Sequence, residues 1–375
     1  MDALTTPSNW QRVRLGDIGK PCMCKRVMKH QTTPYGEIPF YKIGTFGNTA
    51  DAFISKKLFL EYKTKYSFPK KGDILISASG TIGRAVIYDG KPAYFQDSNI
   101  VWIDNDETLV KNDFLFYAYS NIKWNTEHTT ILRLYNDNFR NTLIPLPPLN
   151  EQAAIANILS DVDRYLYSLD ALILKKESVK KALSFELLSQ RKRLKGFNQA
   201  WQRVRLGDIC EITTGSLDAN EMVHYGKYRF YTCAKEYYFI DKYAFDTEAI
   251  LISGNGAYVG YVHYYKGKFN AYQRTYVLDN FSEHIIFVKY FLTMFLQSHI
   301  QTNRNEGNTP YIVMGTLKDF EILLPPLNEQ AAIANILSAL DSEIISLKNK
   351  KRQFDNIKKA LNHDLMSAKI RVLKK

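Results

Sequence analysis

In two stretches of this 375-residue chain, amide, guanidinium and hydroxyl side chains lie next to aromatic residues in the sequence. Residues 91–99 and 272–276 show the pattern most clearly, with Gln, Asn or Arg beside Tyr and Phe. Gln and Asn can pair bidentately with adenine and Arg with guanine, while Tyr and Ser can hold phosphates. The pattern predicts a surface that reads a nucleic acid. The rim and core of a tyrosine-rich sheet would give the same composition, so both interpretations stay open here.

We predict that polar residues of three kinds of segment contact nucleic acid: these stretches, the glycine-containing loops at 78–84 and 254–260 that precede them, and the polar loops that follow them. In the first half of the chain the candidates are Ser79, Thr81, Arg84, Lys91, Tyr94, Gln96, Asn99, Arg133 and Asn138. In the second half they are Asn255, Tyr258, Gln273, Arg274, Asn303, Arg304 and Asn308.

The motifs of the common catalytic classes do not occur in the sequence. The seven histidines have no metal-binding spacing, and no Walker loop is present, because Gly90-Lys91 and Gly267-Lys268 are not followed by Ser or Thr. The Pro-Pro pairs read Leu-Pro-Pro-Leu, which is not the motif of an adenine methyltransferase. Glu61-Tyr62-Lys63 matches only the last part of a nuclease motif. We therefore expect a non-catalytic chain that holds no metal and no cofactor.

The charge is strongly positive and unevenly distributed. The chain has 50 Lys and Arg against 38 Asp and Glu, a net charge of +12. Residues 172–195 contribute +6 and residues 348–375 contribute +8, so the remainder is close to neutral. This balance suggests a polyanion or an acidic partner surface. No apolar run is long enough for a membrane helix and no signal peptide is evident, so we expect a cytoplasmic protein, with no membrane contact, whose four cysteines are free thiols.

The chain repeats itself, which determines its domain organisation. Residues 10–18 (WQRVRLGDI) recur identically at 201–209, and residues 146–160 (LPPLNEQAAIANILS) recur at 324–338. Between these blocks the halves diverge, although Ile74-Leu75-Ile76-Ser77 resembles residues 250–253, and Gln96 falls opposite Gln273. We predict variable domains at 1–145 and 197–323 and helical segments at 146–196 and 324–375.

The helical segments have the clearest periodicity. Residues 150–195 and 328–375 contain no Pro or Gly, and Asn150 and Asn328 are expected as N-caps. Apolar residues at steps of three and four form one stripe on each helix. The stripes are predicted to be partner-facing and include Ile155, Ile158, Val162, Leu166 and Leu169, and then Ile333, Ile336, Leu340, Ile344 and Leu347. The first continues through Ile173, Val179, Leu183 and Leu187, and the second through Phe354, Ile357, Leu361 and Leu365. The obvious partner of each helix is its repeat copy. The variable domains are predicted to be mixed α/β, so the fold class is α+β.

This arrangement resembles the specificity subunit of type I restriction–modification systems. The two LPPLNEQAAIANILS blocks and the two RLGDI starts carry the resemblance, which covers essentially the whole chain. It implies two target-recognition domains that each read one half of a bipartite double-stranded DNA site, and an antiparallel coiled coil between them with pseudo-two-fold symmetry. It also implies two modification subunits that methylate adenine and restriction subunits that translocate and cut. S-adenosylmethionine, ATP and magnesium would belong to those partners.

Two other functions remain open at this point. The chain could serve another modification enzyme, such as a type II-like system with a similar layout. It could also be a coiled-coil adaptor that does not bind DNA.

Overall fold

The structure is a computed structural model that describes residues 9–128, 132–303 and 310–372. The chain divides into two compact units, the first made of residues 1–169 and 350–375 and the second of residues 170–349. All four cysteines are unpaired, as predicted. Among the described residues, no helix has both the length and the apolar character needed to cross a membrane.

The first unit is mixed α/β, as the sequence predicts. Its strands are β1 (Gln11–Arg14), β2 (Gly19–Met23), β3 (Ile38–Tyr41), β4 (Phe53–Ile54), β5 (Ile74–Ser77), β6 (Ala85–Ile87), β7 (Tyr94–Phe95), β8 (Ile100–Asn105), β9 (Glu127–His128), β10 (Leu132–Arg133) and β11 (Leu143–Leu146). Its helices are α1 (Leu15–Ile18), α2 (Lys56–Lys65), α3 (Asn112–Tyr119), α4 (Asn136–Asn141) and the first part of α5 (Leu149–Leu188). These strands form separate sheets with the orders β2-β8-β5-β6, β4-β3-β7, β1-β11 and β10-β9.

The second unit contains one larger sheet with the order β13-β18-β16-β17-β14-β15, and a separate β12-β19 pair. Its strands are β12 (Gln202–Arg205), β13 (Glu211–Thr214), β14 (Tyr228–Tyr231), β15 (Tyr238–Ile240), β16 (Phe245–Ser253), β17 (Val262–Ala271), β18 (Thr275–Asp279) and β19 (Glu321–Leu324). Its helices are α6 (Ile285–Asn303), α7 (Met314–Lys318) and most of α8 (Leu327–Met366). The continuous apolar run of β16 is buried on both faces of the sheet.

The two identical sequence blocks meet in each unit. Strand β1 pairs antiparallel with β11, so that Gln11 lies opposite Leu146, and β12 pairs in the same register with β19. In the first unit the indole Nε1 of Trp10 donates to the buried carboxylate of Glu151 at 3.0 Å. The two blocks are separated by more than a hundred residues in each half, yet they form a single structural frame around each variable domain.

The long helices begin two residues earlier than predicted, at Leu149 and Leu327, so Asn150 and Asn328 are not the N-caps. The carbonyl of Pro148 accepts the N–H groups of Glu151 and Gln152, and Pro326 does the same in the second unit. Asn150 lies inside the first turn, where its side chain accepts the N–H of Glu151 at 3.0 Å. The reason is that the second proline of each pair supplies the capping carbonyl, and its fixed φ suits the start of a helix.

Within each unit, one end of α5 packs antiparallel against one end of α8. In the first unit Asp163 forms an ion pair with Lys358, and the Tyr165 and Phe354 rings lie 4.7 Å apart. In the second unit Lys180 pairs with Asp341 and Lys176 with Glu343. Residue numbers rise along one helix as they fall along the other in both units, which confirms the antiparallel pairing. Each helix has 40 residues, or about 60 Å at 1.5 Å per residue.

The same polar network recurs in both units. The hydroxyl of Tyr117 donates to Asp163 at 2.8 Å in the first unit, and that of Tyr290 donates to Asp341 at 2.6 Å in the second. The partner lysines, Lys358 and Lys180, occupy equivalent repeat positions. Each network joins both helices to the domain helix that carries the tyrosine.

The predicted apolar stripes are confirmed in part. Leu166, Leu169 and Ile344 are buried on the paired helices, and Val162, Leu340 and Leu347 are half-buried. By contrast, Ile155 and Ile333 lie in the domain cores, where Ile158 and Ile336 pack at the edge. In the further extension of the stripes, Ile173, Leu187 and Leu365 are buried, and Leu183, Phe354 and Leu361 are half-buried. The prediction is wrong for Val179 and Ile357, because both side chains are about half exposed. A strict heptad stripe drifts around a straight helix, so its distant members leave the seam.

Candidate nucleic-acid interface

A polar cleft lies at the edge of the sheets of the first unit. Its volume is about 490 Å³, and among its lining residues are Arg26, Lys29, Lys42, Gln96, Asn99 and Arg133; we call it the first cleft. An adjoining hollow of about 300 Å³ shares Ser98 and Arg133 with it and is also lined by Asn136 and Asp137. Concave surfaces with several convergent polar groups are where binding sites are expected.

Four predicted residues come together in or beside the first cleft. The Asn99 side-chain oxygen accepts from the Ser79 hydroxyl at 2.8 Å and from the Arg133 guanidinium at 3.1 Å. Gln96 uses its side-chain oxygen to accept the N–H of Ile43 at 3.0 Å. These bonds fix Gln96, Asn99 and Arg133 before any ligand arrives, and preorganisation of this kind improves recognition.

An isolated β-bridge brings these residues together, and we call this contact the backbone crossing. Ser79, in the loop after β5, forms an isolated antiparallel bridge with Arg133, and the Leu134 N–H donates to the Ala78 carbonyl at 2.8 Å. Ser98 adopts a φ of 60°, which turns the chain sharply between β7 and β8. Residues 133–134 are therefore held by backbone hydrogen bonding against the glycine-containing loop at residues 78–84.

In the first unit the prediction for Tyr94 is wrong, and the one for Lys91 stays a prediction. Tyr94 is completely buried in the core, and its hydroxyl donates to the Lys25 carbonyl at 3.1 Å. Burial raises the pKa of this phenol well above its usual range, so it stays neutral. Lys91 is exposed, but it lies at the opposite end of the β5–β6 hairpin from Ser79 and pairs with Asp89. Alternation of aromatic and polar residues does not reveal which face or end of a sheet carries a side chain.

The other first-half candidates, Thr81, Arg84 and Asn138, are not among the residues that line the first cleft. Thr81 is exposed, and its carbonyl accepts the Ser77 hydroxyl. Arg84 is exposed and lies 3.4 Å from the Asn48 side-chain oxygen and 3.5 Å from the Gly47 carbonyl. Asn138 lies in α4, whose first two residues line the adjoining hollow.

The second unit has a cleft at the corresponding loop, with a more apolar lining that includes Val259, Ile300 and Pro310. Its volume is about 380 Å³, and it is lined by Lys235, Tyr258, Tyr261, Gln297 and Gln301, among others; we call it the second cleft. Tyr258 is 44% exposed, and the Lys235 ammonium lies 5.0 Å from its ring centroid. A Cβ on Gly260, whose φ is +80°, would come within 2.4 Å of Ile300 and 2.7 Å of Gln297, so only glycine fits there.

The same backbone crossing occurs in the second unit. Asn255 bridges Tyr311 antiparallel, and the Gly256 N–H donates to the Pro310 carbonyl at 2.9 Å. By the repeat, Asn255 and Tyr311 correspond to the bridged pair Ser79 and Arg133 of the first unit. The two units therefore build their clefts on one scaffold with different side chains.

Gln273 and Arg274 are exposed on the turn between β17 and β18. The Arg274 carbonyl accepts the Gly254 N–H at 2.8 Å, which places this turn against the loop of the second cleft. Gln273 is not the equivalent of Gln96, however. The Gln96 N–H donates to the Tyr41 carbonyl, and in the second unit it is Tyr272 that donates to Tyr231. The side chain of Asn303, and all of Arg304 and Asn308, lie outside the described residues.

Several cleft residues were missed by the sequence prediction. In the first unit these are Arg26, Lys29 and Lys42, and in the second Lys235, Tyr261, Gln297 and Gln301. Residues 25–30 contain four basic side chains (His included) and no acidic one, a local signal that could have identified the first two. No group of three or more His, Cys, Asp and Glu side chains suited to a metal ion occurs in the described part of the chain.

The family follows from a match to both halves. The sequence profile described as the type I restriction modification DNA specificity domain matches residues 7–176 and again residues 198–354. The chain belongs to this type I specificity family. Both copies of the profile cover a variable domain together with most of its long helix, in agreement with the repeat.

Individual relatives support this membership. A putative type I restriction enzyme specificity subunit of Haemophilus influenzae is 64% identical over 148 residues, which are 39% of this chain and 38% of that relative. The chain thus spans well under half the length of that relative in the alignment. The MjaVIII specificity subunit of Methanocaldococcus jannaschii is 26% identical over 99% of this chain and 95% of its own. The crystal structure of a type I S subunit from M. genitalium shares the fold, with a TM-score of 0.65 at 18% identity, over 97% of this chain and 98% of that one.

Proposed function

We propose that this chain is the sequence-specific, non-catalytic DNA-binding subunit of a type I restriction–modification complex. Each unit would read one half of a bipartite target. The observation that carries this proposal is the pair of equivalent backbone crossings, Ser79 with Arg133 and Asn255 with Tyr311. They hold two differently lined clefts on one scaffold. Two domains with a common frame and different clefts suit two different half-sites of one DNA molecule.

The chemistry of the clefts supports base reading. Arg133 can pair bidentately with guanine, and the amides of Gln297 and Gln301 can pair with adenine. The Asn99 oxygen is already bonded to Ser79 and Arg133, so Asn99 can offer its amide N–H groups to a base acceptor. Their basic and aromatic neighbours, such as Lys29 and Tyr258, suit phosphate and sugar contacts. The positive net charge of +12 favours association with a polyanion.

The partners we propose supply the catalysis. Two modification subunits would methylate adenine with S-adenosylmethionine, and restriction subunits would use ATP and magnesium to translocate and cut. The pseudo-two-fold repeat of the helices suits two copies of one partner, because it presents each helix motif twice. No cofactor is proposed for this chain itself.

A domain exchange tests the proposal. The full chain is co-expressed with its modification subunit, and the methylated motif is determined by methylome sequencing. Replacing residues 1–145 with the same segment of a relative should change one half-site only, and replacing residues 197–323 should change the other. The purified chain alone should neither methylate nor cleave DNA. A change in both half-sites after a single exchange would refute independent reading, and an unmethylated genome with a DNA-free complex would favour an adaptor.

A further inference from the structure

An arm of the same shape projects from each unit. We define the arms as residues 29–41 and 219–231. Each begins with one turn of 3-10 helix, Lys29–Gln31 or Ala219–Glu221, and ends in strand β3 or β14. Between these elements each arm makes one isolated bridge, Thr33 with Phe53 and Val223 with Phe239. The backbone is therefore the same although the sequences differ.

Four residues of the arm are identical in the two copies. They are Tyr35 and Tyr225, Gly36 and Gly226, Phe40 and Phe230, and Tyr41 and Tyr231. Three of these identities have a structural reason. Both phenylalanines are buried, and the carbonyls of the second tyrosine pair accept equivalent backbone N–H groups. A Cβ on Gly36 would approach the Phe53 Cβ to 2.9 Å, and one on Gly226 would approach the Ile240 backbone to 2.7 Å.

The first tyrosine of each arm has no such structural reason. Tyr35 is 80% exposed and Tyr225 is 94% exposed. Within the described residues, neither side chain makes a hydrogen bond, an ion pair or a ring contact. A single exposed aromatic ring is ordinary on a protein surface. Folding does not explain why a tyrosine occurs at this same position in two arms that otherwise diverge. The repeated tyrosine therefore points to a ligand that both units share.

We propose that Tyr35 and Tyr225 are equivalent contacts to the DNA backbone, and that each donates its hydroxyl to a phosphate oxygen. The proposal rests on the proposed function. The two half-sites differ in bases, so a residue common to both units must contact what the half-sites share, which is the sugar–phosphate chain. Phosphate contacts of this kind fix the register of a protein on the duplex and carry no base information.

The origin of each arm supports this assignment. Lys29 and Thr32, at the start of the first arm, line the first cleft together with Gln96 and Arg133. The Thr33 hydroxyl then donates to the Tyr35 carbonyl at 2.7 Å, which fixes the turn beside that cleft. In the second unit the Gln273 N–H donates to the Leu217 carbonyl at 2.9 Å, two residues before the arm begins. The first exposed tyrosine is thus carried by a segment that starts in the first cleft. The second is carried by a segment that starts beside the β17–β18 turn, which in turn contacts the loop of the second cleft at Gly254.

Conservative variants test the contact in the assembled complex. Tyr35→Phe, Tyr225→Phe and the double variant remove only the hydroxyls, and Tyr167→Phe is the matched control, since Tyr167 is 78% exposed on α5 outside both arms. The dissociation constant is measured for a duplex with the target and for a random duplex. Each single variant should bind both duplexes about tenfold more weakly, and the double variant about a hundredfold, because distant effects add. The control should bind as the wild type does.

Three further readouts separate this contact from other roles. The methylated motif and the ratio of target to random affinity should not change, since no base is read. The slope of log affinity against log salt should also stay the same, because a neutral hydroxyl releases no counterion. An unchanged dissociation constant in the double variant would overturn the inference, as would an altered motif or a loss of modification-subunit binding in the absence of DNA. A wild-type complex that binds no DNA would instead overturn the proposed function, and this inference with it.

Discussion

Replacing Arg193 with alanine should destabilise the second unit strongly. Arg193 follows the end of α5 and donates from Nε and Nη2 to the Glu329 carboxylate, at 2.9 and 2.7 Å, in the first turn of α8. The Glu329 side chain is 1% exposed. No other side chain of the described residues donates to its carboxylate, so Arg193→Ala leaves a buried negative charge without a partner.

The size of the effect follows from burial. Breaking a buried ion pair by removing one partner typically costs about 3–5 kcal/mol. Arg193 itself keeps 28% side-chain exposure, so water can reach part of the vacated space. This places the expected loss near the lower limit, about 3 kcal/mol. For a unit of residues 170–349, the corresponding fall in unfolding midpoint is about 6–12 °C.

Scanning calorimetry of the full chain measures this loss, with Arg203→Ala as the matched control. Arg203 pairs with Glu321 at 2.7 Å in the same unit, but the two side chains are 65% and 55% exposed. The control should therefore lose less than about 1 kcal/mol. Arg193→Ala combined with Glu329→Gln should recover part of the loss, because it removes the stranded charge. Equal midpoints for Arg193→Ala and Arg203→Ala would refute the argument from burial.

The repeat supplies an internal comparison for the same motif. In the first unit, Arg371 makes the equivalent bidentate contact with Glu151, but Glu151 also accepts the Trp10 indole N–H. The corresponding Trp201 Nε1 is buried with no hydrogen-bond partner in the described structure. Arg371→Ala should therefore lower the midpoint of its unit less than Arg193→Ala does.

Three further predictions concern pH, truncation and spacing. Burial lowers the pKa of His263 below 6.5, so at lower pH the unfolded histidine binds a proton that the folded one resists. The free energy of unfolding should therefore fall as the pH drops below 6.5. Urea titrations at several pH values should show a flatter dependence on pH for His263→Asn. Residues 1–195 alone should dimerise. The truncation removes Leu365 and Met366 from the core of the first unit, and only Leu187 and Leu188 of a second copy can replace them. A folded monomer in light scattering would contradict this. Seven residues added to α5 and to α8 should lengthen the DNA spacer by about three base pairs in the methylome, with both half-sites unchanged.

The frame was readable from the sequence because its signals are local and repeated. Identical blocks, proline pairs and long stretches without Pro or Gly predicted two mixed domains and two long helices. Each helix begins two residues earlier than predicted, because Pro148 caps through its carbonyl, whereas Asn150 was the better candidate by side-chain chemistry. The roles of Glu151 and Gln152 were not predictable, because the groups they bind are distant in the chain. Glu151 binds Trp10 and Arg371, and Gln152 binds the backbone N–H of Lys111.

The candidate interface depended more strongly on the tertiary structure. Gln96, Asn99 and Arg133 had the right chemistry and do lie together, but Tyr94, two residues before Gln96, is in the core. Strand residues alternate between faces, and the sequence does not state which face is covered. Lys29 and Lys235 reach their clefts through loops whose path depends on distant strands.

The sequence by itself determined the repeat, the two long helices, the class of fold and the family, because each of these is encoded by residues that are neighbours in the chain. Only the tertiary structure decided which polar side chains share a cleft, which tyrosines are buried, and which are exposed at equivalent positions of the two arms. Those properties depend on pairings such as Ser79 with Arg133 and Asn255 with Tyr311. Such pairings are set by the packing of the whole domain, and no local pattern of residues specifies them.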